Sequence, residues 1–211
     1  MAIARDSNNN HQTWNDPGSP KTVAFTNTAG NLLYLGLVLR DKGDVLTSVT
    51  YAGSGMSVIG KVNYSGTSWA YLLGLVSPAT GANNFVITYT GGSSDNFWQA
   101  VSYSGASTAG VSNASKTNTG SGTTVSDTIT FVNTPAWVTM WSAATGGSLT
   151  ASTNSTAIGT AFNFQFFDSN GTQTGSTFNM QQTASSGAWG DIMVSFVEPA
   201  AATDGNFLMF M

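Results

Sequence analysis

The sequence predicts an all-β protein built as an antiparallel β-sandwich, and three observations support this. Charged residues make up only 8% of the 211 residues, against roughly 25% in an ordinary soluble domain. Ser, Thr, Asn and Gly take their place, and these residues favour strands and turns over helices. Aromatic residues amount to 11% and are spread along the chain, which indicates a packed core rather than disorder.

The chain divides into three parts by composition. Residues 1–20 are polar and rich in turn-forming residues, so we predict an extended polar N-terminal arm. Residues 21–198 carry the strand signals and are predicted to form the β-sandwich domain. Residues 199–211 begin as a Pro/Ala/Gly linker and end in an apolar C-terminal tail.

Short apolar or alternating segments, separated by turn signals, define the strands of the predicted domain. The stretch 106–122 contains mainly Ser, Thr, Gly and Asn and is predicted to be a surface loop. Asn170-Gly171 predicts a tight hairpin turn. Strands are predicted at 22–27, 31–40, 45–52, 56–63, 67–77, 84–90, 96–104, 123–132, 136–143, 156–168, 173–182 and 188–197.

Two of these segments, 31–40 and 67–77, are apolar on both faces. Side chains alternate between the faces of a strand, so a strand with one solvated face would carry polar residues at every second position. Two interpretations remain open. Loops or neighbouring strands of the same chain cover both faces, or the outer face packs on another subunit.

The charge distribution limits the classes of partner. The net charge is −4, and no Lys or Arg follows Lys116. Nucleic-acid binding needs a basic surface, as does binding to an anionic membrane. We therefore expect neither nucleic acid nor membrane as a partner.

Residues suited to catalysis or metal binding are scarce. Cysteine is absent, and the one histidine, His11, lies in the polar arm. The one glutamate, Glu198, stands beside a proline near the end of the domain. Asp168-Ser169-Asn170-Gly171 begins like a calcium loop but lacks the glutamate that should close it, so turn chemistry explains it. We expect no enzyme activity, no catalytic residues, no cofactor and no metal site.

Two tryptophans are the best candidates for contact with a ligand. Trp137 and Trp141 are four residues apart on a predicted strand and therefore point the same way. Such a pair could stack on the sugar rings of a surface glycan. It could equally belong to the core or to a subunit contact, since aromatic residues dominate both environments.

The C-terminal tail is the candidate subunit contact. It is apolar on both faces of any strand it could form, and strand addition to a sheet edge would satisfy its backbone. We expect it to bind a neighbouring subunit or partner, with folding back onto its own domain as the alternative, and we expect similar contacts from the arm. The tail residues are Phe207, Leu208, Met209, Phe210 and Met211.

The N-terminal residues reach the charged pair Arg5-Asp6 without an apolar run long enough for an h-region, so we expect no signal peptide. A Ser/Thr/Asn/Gly-rich β protein without an export signal is typical of virus particles, which are assembled in the host cytoplasm and later exposed outside. This combination favours localisation in a virion.

A series of short motifs runs through the middle of the chain in a fixed order. The chain carries Val49-Thr50-Tyr51 and then Trp69-Ala70-Tyr71-Leu72-Leu73. Pro78-Ala79-Thr80-Gly81 and Asn84-Phe85-Val86-Ile87-Thr88 follow, and Ala100-Val101-Ser102-Tyr103-Ser104-Gly105 comes last.

This order of motifs resembles jelly-roll-like β-sandwich domains of tailed-phage virion structural proteins. The resemblance extends over about residues 45–198 and implies a jelly-roll-like fold with no catalytic residues. It implies a virion structural protein, with a capsid decoration protein as the first interpretation and a tail or fibre component as its nearest variant. The expected partners are a major capsid or other virion protein and further copies of the chain. A carbohydrate-binding lectin or adhesin module is the alternative.

Overall fold

The computed structural model describes residues 2–9, 12–14, 18–28, 30–91 and 95–200. Within these ranges every regular element is a β-strand, and all strand pairs are antiparallel. The all-β antiparallel fold predicted from the sequence is therefore confirmed. None of the described segments forms a helix that could span a membrane.

The described strands fall into two groups along the chain. The first half, up to Ser104, contains β1 (Ala4–Asn8), β2 (Gln12–Trp14), β3 (Lys21–Asn27), β4 (Leu32–Leu39), β5 (Leu46–Tyr51), β6 (Ser54–Gly55), β7 (Ser57–Ser65), β8 (Ser68–Val76), β9 (Gly81–Tyr89) and β10 (Asn96–Ser104). The second half contains β11 (Ala114–Ser121), β12 (Thr124–Thr130), β13 (Ala136–Ala144), β14 (Thr150–Ala151), β15 (Thr156–Ala157), β16 (Phe164–Asp168), β17 (Thr177–Thr183) and β18 (Ala188–Val197).

These strands form four sheets, numbered here in the order in which they stack. Sheet 1 has the order β3-β9-β5-β6, and sheet 2 has the order β1-β10-β4-β8-β7 with β2 also paired to β10. Sheet 3 has the order β11-β18-β13-β16-β15, and sheet 4 has the order β12-β17-β14. The larger sheets 2 and 3 lie in the middle.

Three apolar layers separate the four sheets. Sheet 1 packs on sheet 2 through one buried cluster that includes Phe25, Tyr51, Phe85, Leu35 and Leu37. Sheet 2 packs on sheet 3 through a second cluster that includes Tyr34, Tyr103, Trp141, Phe166 and Phe196. Sheet 3 packs on sheet 4 through a third that includes Met140, Phe167, Val125, Ile129 and Met180.

The stacking explains the strands that are apolar on both faces. Every residue of β4 and of β13 is buried. For β4 and β8, sheet 1 covers one face and sheet 3 covers the other. The same chain thus covers both faces of the segments 31–40 and 67–77, as the first of the two interpretations proposed.

The two halves have the same topology. The order β1-β10-β4-β8-β7 in sheet 2 is repeated by β11-β18-β13-β16-β15 in sheet 3, and β3-β9-β5 in sheet 1 by β12-β17-β14 in sheet 4. Contacts between the halves are reciprocal: β8 contacts β13 as β16 contacts β4, and β8 contacts β18 as β16 contacts β10. Reciprocal contacts of this kind are the signature of two-fold packing.

The range 21–198, predicted as one β-sandwich, therefore contains the greater part of two sandwiches that pack through their larger sheets. A close approach of the backbone makes this packing possible. Gly36 on β4 lies directly under the indole of Trp141, and a Cβ atom at this position would overlap the ring. The jelly-roll connectivity itself stays a prediction.

Two segments predicted to lack strands contain them. Part of the N-terminal arm forms β1 and β2, which both pair with β10. Part of the predicted surface loop 106–122 forms β11, which pairs with β18 from Ala114↔Ser195 to Ser121↔Ala188. These are edge strands with largely polar side chains. Backbone hydrogen bonds to a neighbouring strand define them, and no apolar pattern in the sequence predicts them.

Candidate functional site

The tryptophans singled out as ligand contacts lie in the core between sheets 2 and 3. Trp137 is 7% exposed and Trp141 is fully buried. The ring of Trp141 lies 4.9 Å from that of Phe166, measured between centroids. A sugar can stack only on an exposed ring face, so both positions fit the core interpretation and offer no glycan platform.

Trp137 belongs to a group of four aromatic rings that joins the two halves. The ring centroid of Tyr103 lies 5.9 Å from Trp137 and 4.8 Å from Phe196. The ring of Tyr34 lies 5.6 Å from Phe196 and 6.1 Å from Tyr103. Each half contributes two of the rings, from its two central strands, and edge or tilted contacts of this kind stabilise beyond simple burial.

The N-terminal arm is anchored to its own chain by a buried carboxylate. Arg5 on β1 lies with its Nη1 3.3 Å from Oδ2 of Asp168, at the end of β16. Tyr103 donates a hydrogen bond of 3.2 Å to the same oxygen, and the backbone N–H of Asn170 donates one of 3.1 Å to Oδ1. The described arm residues therefore contact their own domain, and the contact of the arm with a neighbouring subunit stays a prediction.

Burial governs the electrostatics of this group. Asp168 is fully buried, and removal from water raises the pKa of its carboxyl above the ordinary value, while Arg5 and the hydrogen bond from Tyr103 act in the opposite direction. Burial and the nearby Asp168 charge raise the pKa of the Tyr103 hydroxyl well above its ordinary value. Arg5 and Tyr103 of sheet 2 are thus tied to Asp168 of sheet 3, and the role of these three residues is structural.

The same contacts account for the segment that begins like a calcium loop. Asn170 has a φ of 47°, and its N–H bonds the Asp168 side chain two residues earlier, which is the geometry of an Asx turn. Both carboxylate oxygens of Asp168 are thus occupied by protein donors. Among the described residues, no group of three or more His, Cys, Asp or Glu side chains is placed to hold a metal ion. His11 lies outside the described residues.

The tail residues Phe207 to Met211 also lie outside the described residues. The last described residue, Ala200, lines an open groove of about 640 Å³ at the end of the second half. The connection between the halves supplies Ala109 and Asn113, the β12–β13 connection supplies Pro135, and the chain after β18 supplies Pro199. The groove therefore lies at the last described residue, and its lining is mixed polar and apolar.

No family model and no curated protein sequence matches the chain. Among solved structures, the chain is similar to the major capsid protein P2 from Bacteriophage PM2, with a TM-score of 0.27 and 8% identity over 91% of this chain and 99% of that one. It is also similar to A223, a turret protein in Sulfolobus turreted icosahedral virus, with a TM-score of 0.22 and 11% identity over 93% of this chain and 100% of that one. Similarity at this level establishes neither a family nor a function for the chain.

Proposed function

We propose that the chain is a non-enzymatic structural protein of a virion, and more specifically a capsid decoration protein that binds the outer surface of a phage particle. The observation that carries the proposal is the fusion of two sandwiches through an aromatic core. Both faces of the two largest sheets are used inside the chain. The result is a rigid block whose edges, connections and ends are left for contact with partners.

The composition of the surface supports a role in assembly through short-range contacts. With a net charge of −4 and only 8% charged residues, long-range steering contributes little to association. Among the described residues, the large apolar side chains that stand exposed are Val58 and Val132. Contacts made by the described surface are therefore mainly neutral and polar.

The apolar tail supplies the attachment in this proposal. Phe207 follows Ala200 by seven residues and so lies at most about 25 Å from it, at roughly 3.3–3.6 Å per residue. The tail therefore acts within reach of the groove at Ala200. Strand addition to a sheet edge of the major capsid protein, another virion protein or a second copy would bury its side chains and satisfy its backbone. Localisation in the virion, after assembly in the host cytoplasm, follows from this role.

A tail or fibre component is the nearest alternative, and a glycan-binding lectin or adhesin module is the other. Burial of Trp137 and Trp141 favours the virion role over the glycan alternative, which depends on an exposed ring face. Electron microscopy of particles from the native source, with mass spectrometry of their proteins, separates the remaining two. High copy number over the capsid shell supports decoration, and density confined to the tail overturns it.

The attachment role of the tail is tested with purified particles that lack the protein. The full chain is compared with a chain deleted for residues 206–211 and with a variant of unchanged length in which Phe207, Leu208 and Phe210 are replaced by Ser. Both variants should fail to bind particles while unfolding at the same temperature as the full chain. Binding with unchanged affinity by either variant would contradict the attachment role.

A further inference from the structure

A lysine and two aspartates meet where sheets 3 and 4 pack together, and the function proposed above does not use them. Lys116 lies on β11, Asp127 on β12 and Asp191 on β18. The Nζ atom of Lys116 lies 2.5 Å from Oδ1 of Asp127 and donates a hydrogen bond of 3.1 Å to the carbonyl oxygen of Thr128. The amine nitrogen is therefore held against one particular carboxyl group.

Both carboxyl groups are withdrawn from water. The Asp127 side chain is 2% exposed, and Asp191 is fully buried. Oδ2 of Asp127 and both oxygens of Asp191 have no hydrogen-bond donor from the described residues. Two carboxylates cannot donate to each other, so the contact between Asp191 and Asp127 needs a proton on one of them.

That proton belongs on Asp191. Burial, followed by the charge and contact of Asp127, raises the pKa of the Asp191 carboxyl well above its ordinary value, and Lys116 opposes this. A protonated carboxyl kept neutral in a dry site can act as a general acid. The three groups thus place an amine, a carboxyl carbon and a proton donor together. The two carboxyl groups are closed to water, whereas the Lys116 side chain keeps 48% of its surface exposed.

We propose that Lys116 and Asp127 are joined by an intramolecular isopeptide bond, with Asp191 as the proton-transferring residue. The Nζ atom forms a bond to Cγ of Asp127, and one C–O bond of that carboxyl breaks. The ammonium group loses two protons in all. These two protons and the departing oxygen form one water molecule. Asp191 transfers protons from the nitrogen to that oxygen and returns to its starting protonation state. No oxidant, metal or cofactor takes part in this balance.

Proximity is what makes such a condensation feasible in the folded chain. Holding the two reacting groups in contact converts a slow bimolecular reaction into an intramolecular one, and burial of the Asp127 carboxyl limits the access of water for the reverse hydrolysis. The bond would join β11 of sheet 3 to β12 of sheet 4. It would thus fasten sheet 4, the smallest of the four sheets, to sheet 3.

A second lysine–aspartate pair provides an internal control. Lys61 on β7 forms a close ion pair with Asp44. That pair is solvent-exposed, and the other oxygen of Asp44 accepts a hydrogen bond of 3.1 Å from the Tyr71 hydroxyl. The pair has no buried acid among the contacts named here that could transfer a proton. We therefore expect Lys61 and Asp44 to remain an ordinary ion pair.

The test uses the full chain, purified and then denatured. The intact mass should be lower than the sequence mass by one water molecule. Trypsin adds a second readout, because no Lys or Arg follows Lys116. Without the bond, cleavage after Lys116 gives the fragments 62–116 and 117–211. With the bond, the modified lysine resists cleavage and the single fragment 62–211 appears.

Variants test the roles proposed for Lys116, Asp127 and Asp191. Lys116→Arg keeps the positive charge but cannot form the amide, so it should show the full sequence mass and both fragments; Asp127→Ala should do the same. Asp191→Asn preserves shape and should lose most of the mass difference, whereas Lys61→Arg should leave it unchanged. A wild-type chain with the full sequence mass and both fragments overturns the proposal. Fragment spectra that place the link on Asp191 overturn Asp127 as the acceptor, and full linkage in Asp191→Asn overturns the role of Asp191.

Discussion

Replacing Arg5 by Met should destabilise the protein strongly at neutral pH, although Arg5 lies in a segment that looks like a free arm. The change removes the cation that pairs with the fully buried Asp168 and keeps most of the apolar stem of the side chain. Breaking a buried pair from one side costs about 3–5 kcal/mol, because the remaining charge is left without compensation. Arg5 keeps 28% of its side chain exposed, so we expect a loss of roughly 2–4 kcal/mol.

The loss should depend on pH in a defined direction. Because the pKa of the Asp168 carboxyl is raised in the folded state, this group favours folding in its protonated form. Its contribution is fully present below the pKa of the unfolded chain and is lost as the pH rises through the folded value. Removing Arg5 raises the folded pKa further, so the difference in stability between variant and wild type should be largest at neutral pH and should shrink towards pH ~4.

Urea unfolding followed by tryptophan fluorescence at several pH values measures this difference. Lys61→Met is the matched control, because it breaks the exposed pair with Asp44 and should cost no more than about 1 kcal/mol. An Arg5→Met variant that unfolds within about 1 kcal/mol of the wild type at neutral pH would refute the reasoning. A difference that stays constant down to acid pH would refute the assignment to Asp168.

Three further outcomes are expected. Gly36→Ala places a Cβ atom into the indole of Trp141 and should cost about 1–3 kcal/mol in thermal unfolding, whereas Gly55→Ala meets open space and should be tolerated; equal losses would show that sheets 2 and 3 do not interlock there. EDTA and dithiothreitol should each leave the unfolding temperature unchanged, and a drop of several degrees with EDTA would reveal a metal site. Attachment to the assembly should survive roughly molar NaCl, since screening acts only on charges, and release by salt would show that a few ion pairs hold the contact.

The central strands could be predicted from the sequence because their signal is local. The predicted strand 156–168 contains β16, and the doubly apolar segment 31–40 contains β4. Edge strands such as β11 could not be predicted in this way, since Thr117, Asn118 and Thr119 resemble a loop until β18 lies beside them. Their strand character comes from a neighbour and not from their own side chains.

Contacts between residues far apart in the sequence could not be predicted for a similar reason. Arg5 and Asp168 are 163 residues apart, and nothing near either residue points to the other. Asn170-Gly171 correctly marked a turn, but the predicted hairpin was wrong, because the chain passes there from sheet 3 to sheet 4. Trp137 and Trp141 do point the same way, yet only the position of sheet 2 shows that this direction is inward.

The reciprocal packing of the two halves has a consequence for synthesis. The first sandwich leaves the ribosome before its counterpart, with sheet 1 already available to cover one face of sheet 2. The opposite face, which carries Tyr34 and Tyr103, remains uncovered until β13 and β18 have been made. During that interval the nascent chain displays a flat aromatic surface suited to pairing with the same surface on another nascent chain. Several growing chains lie close together on a polysome. Exchange of halves between these chains therefore competes with correct folding there.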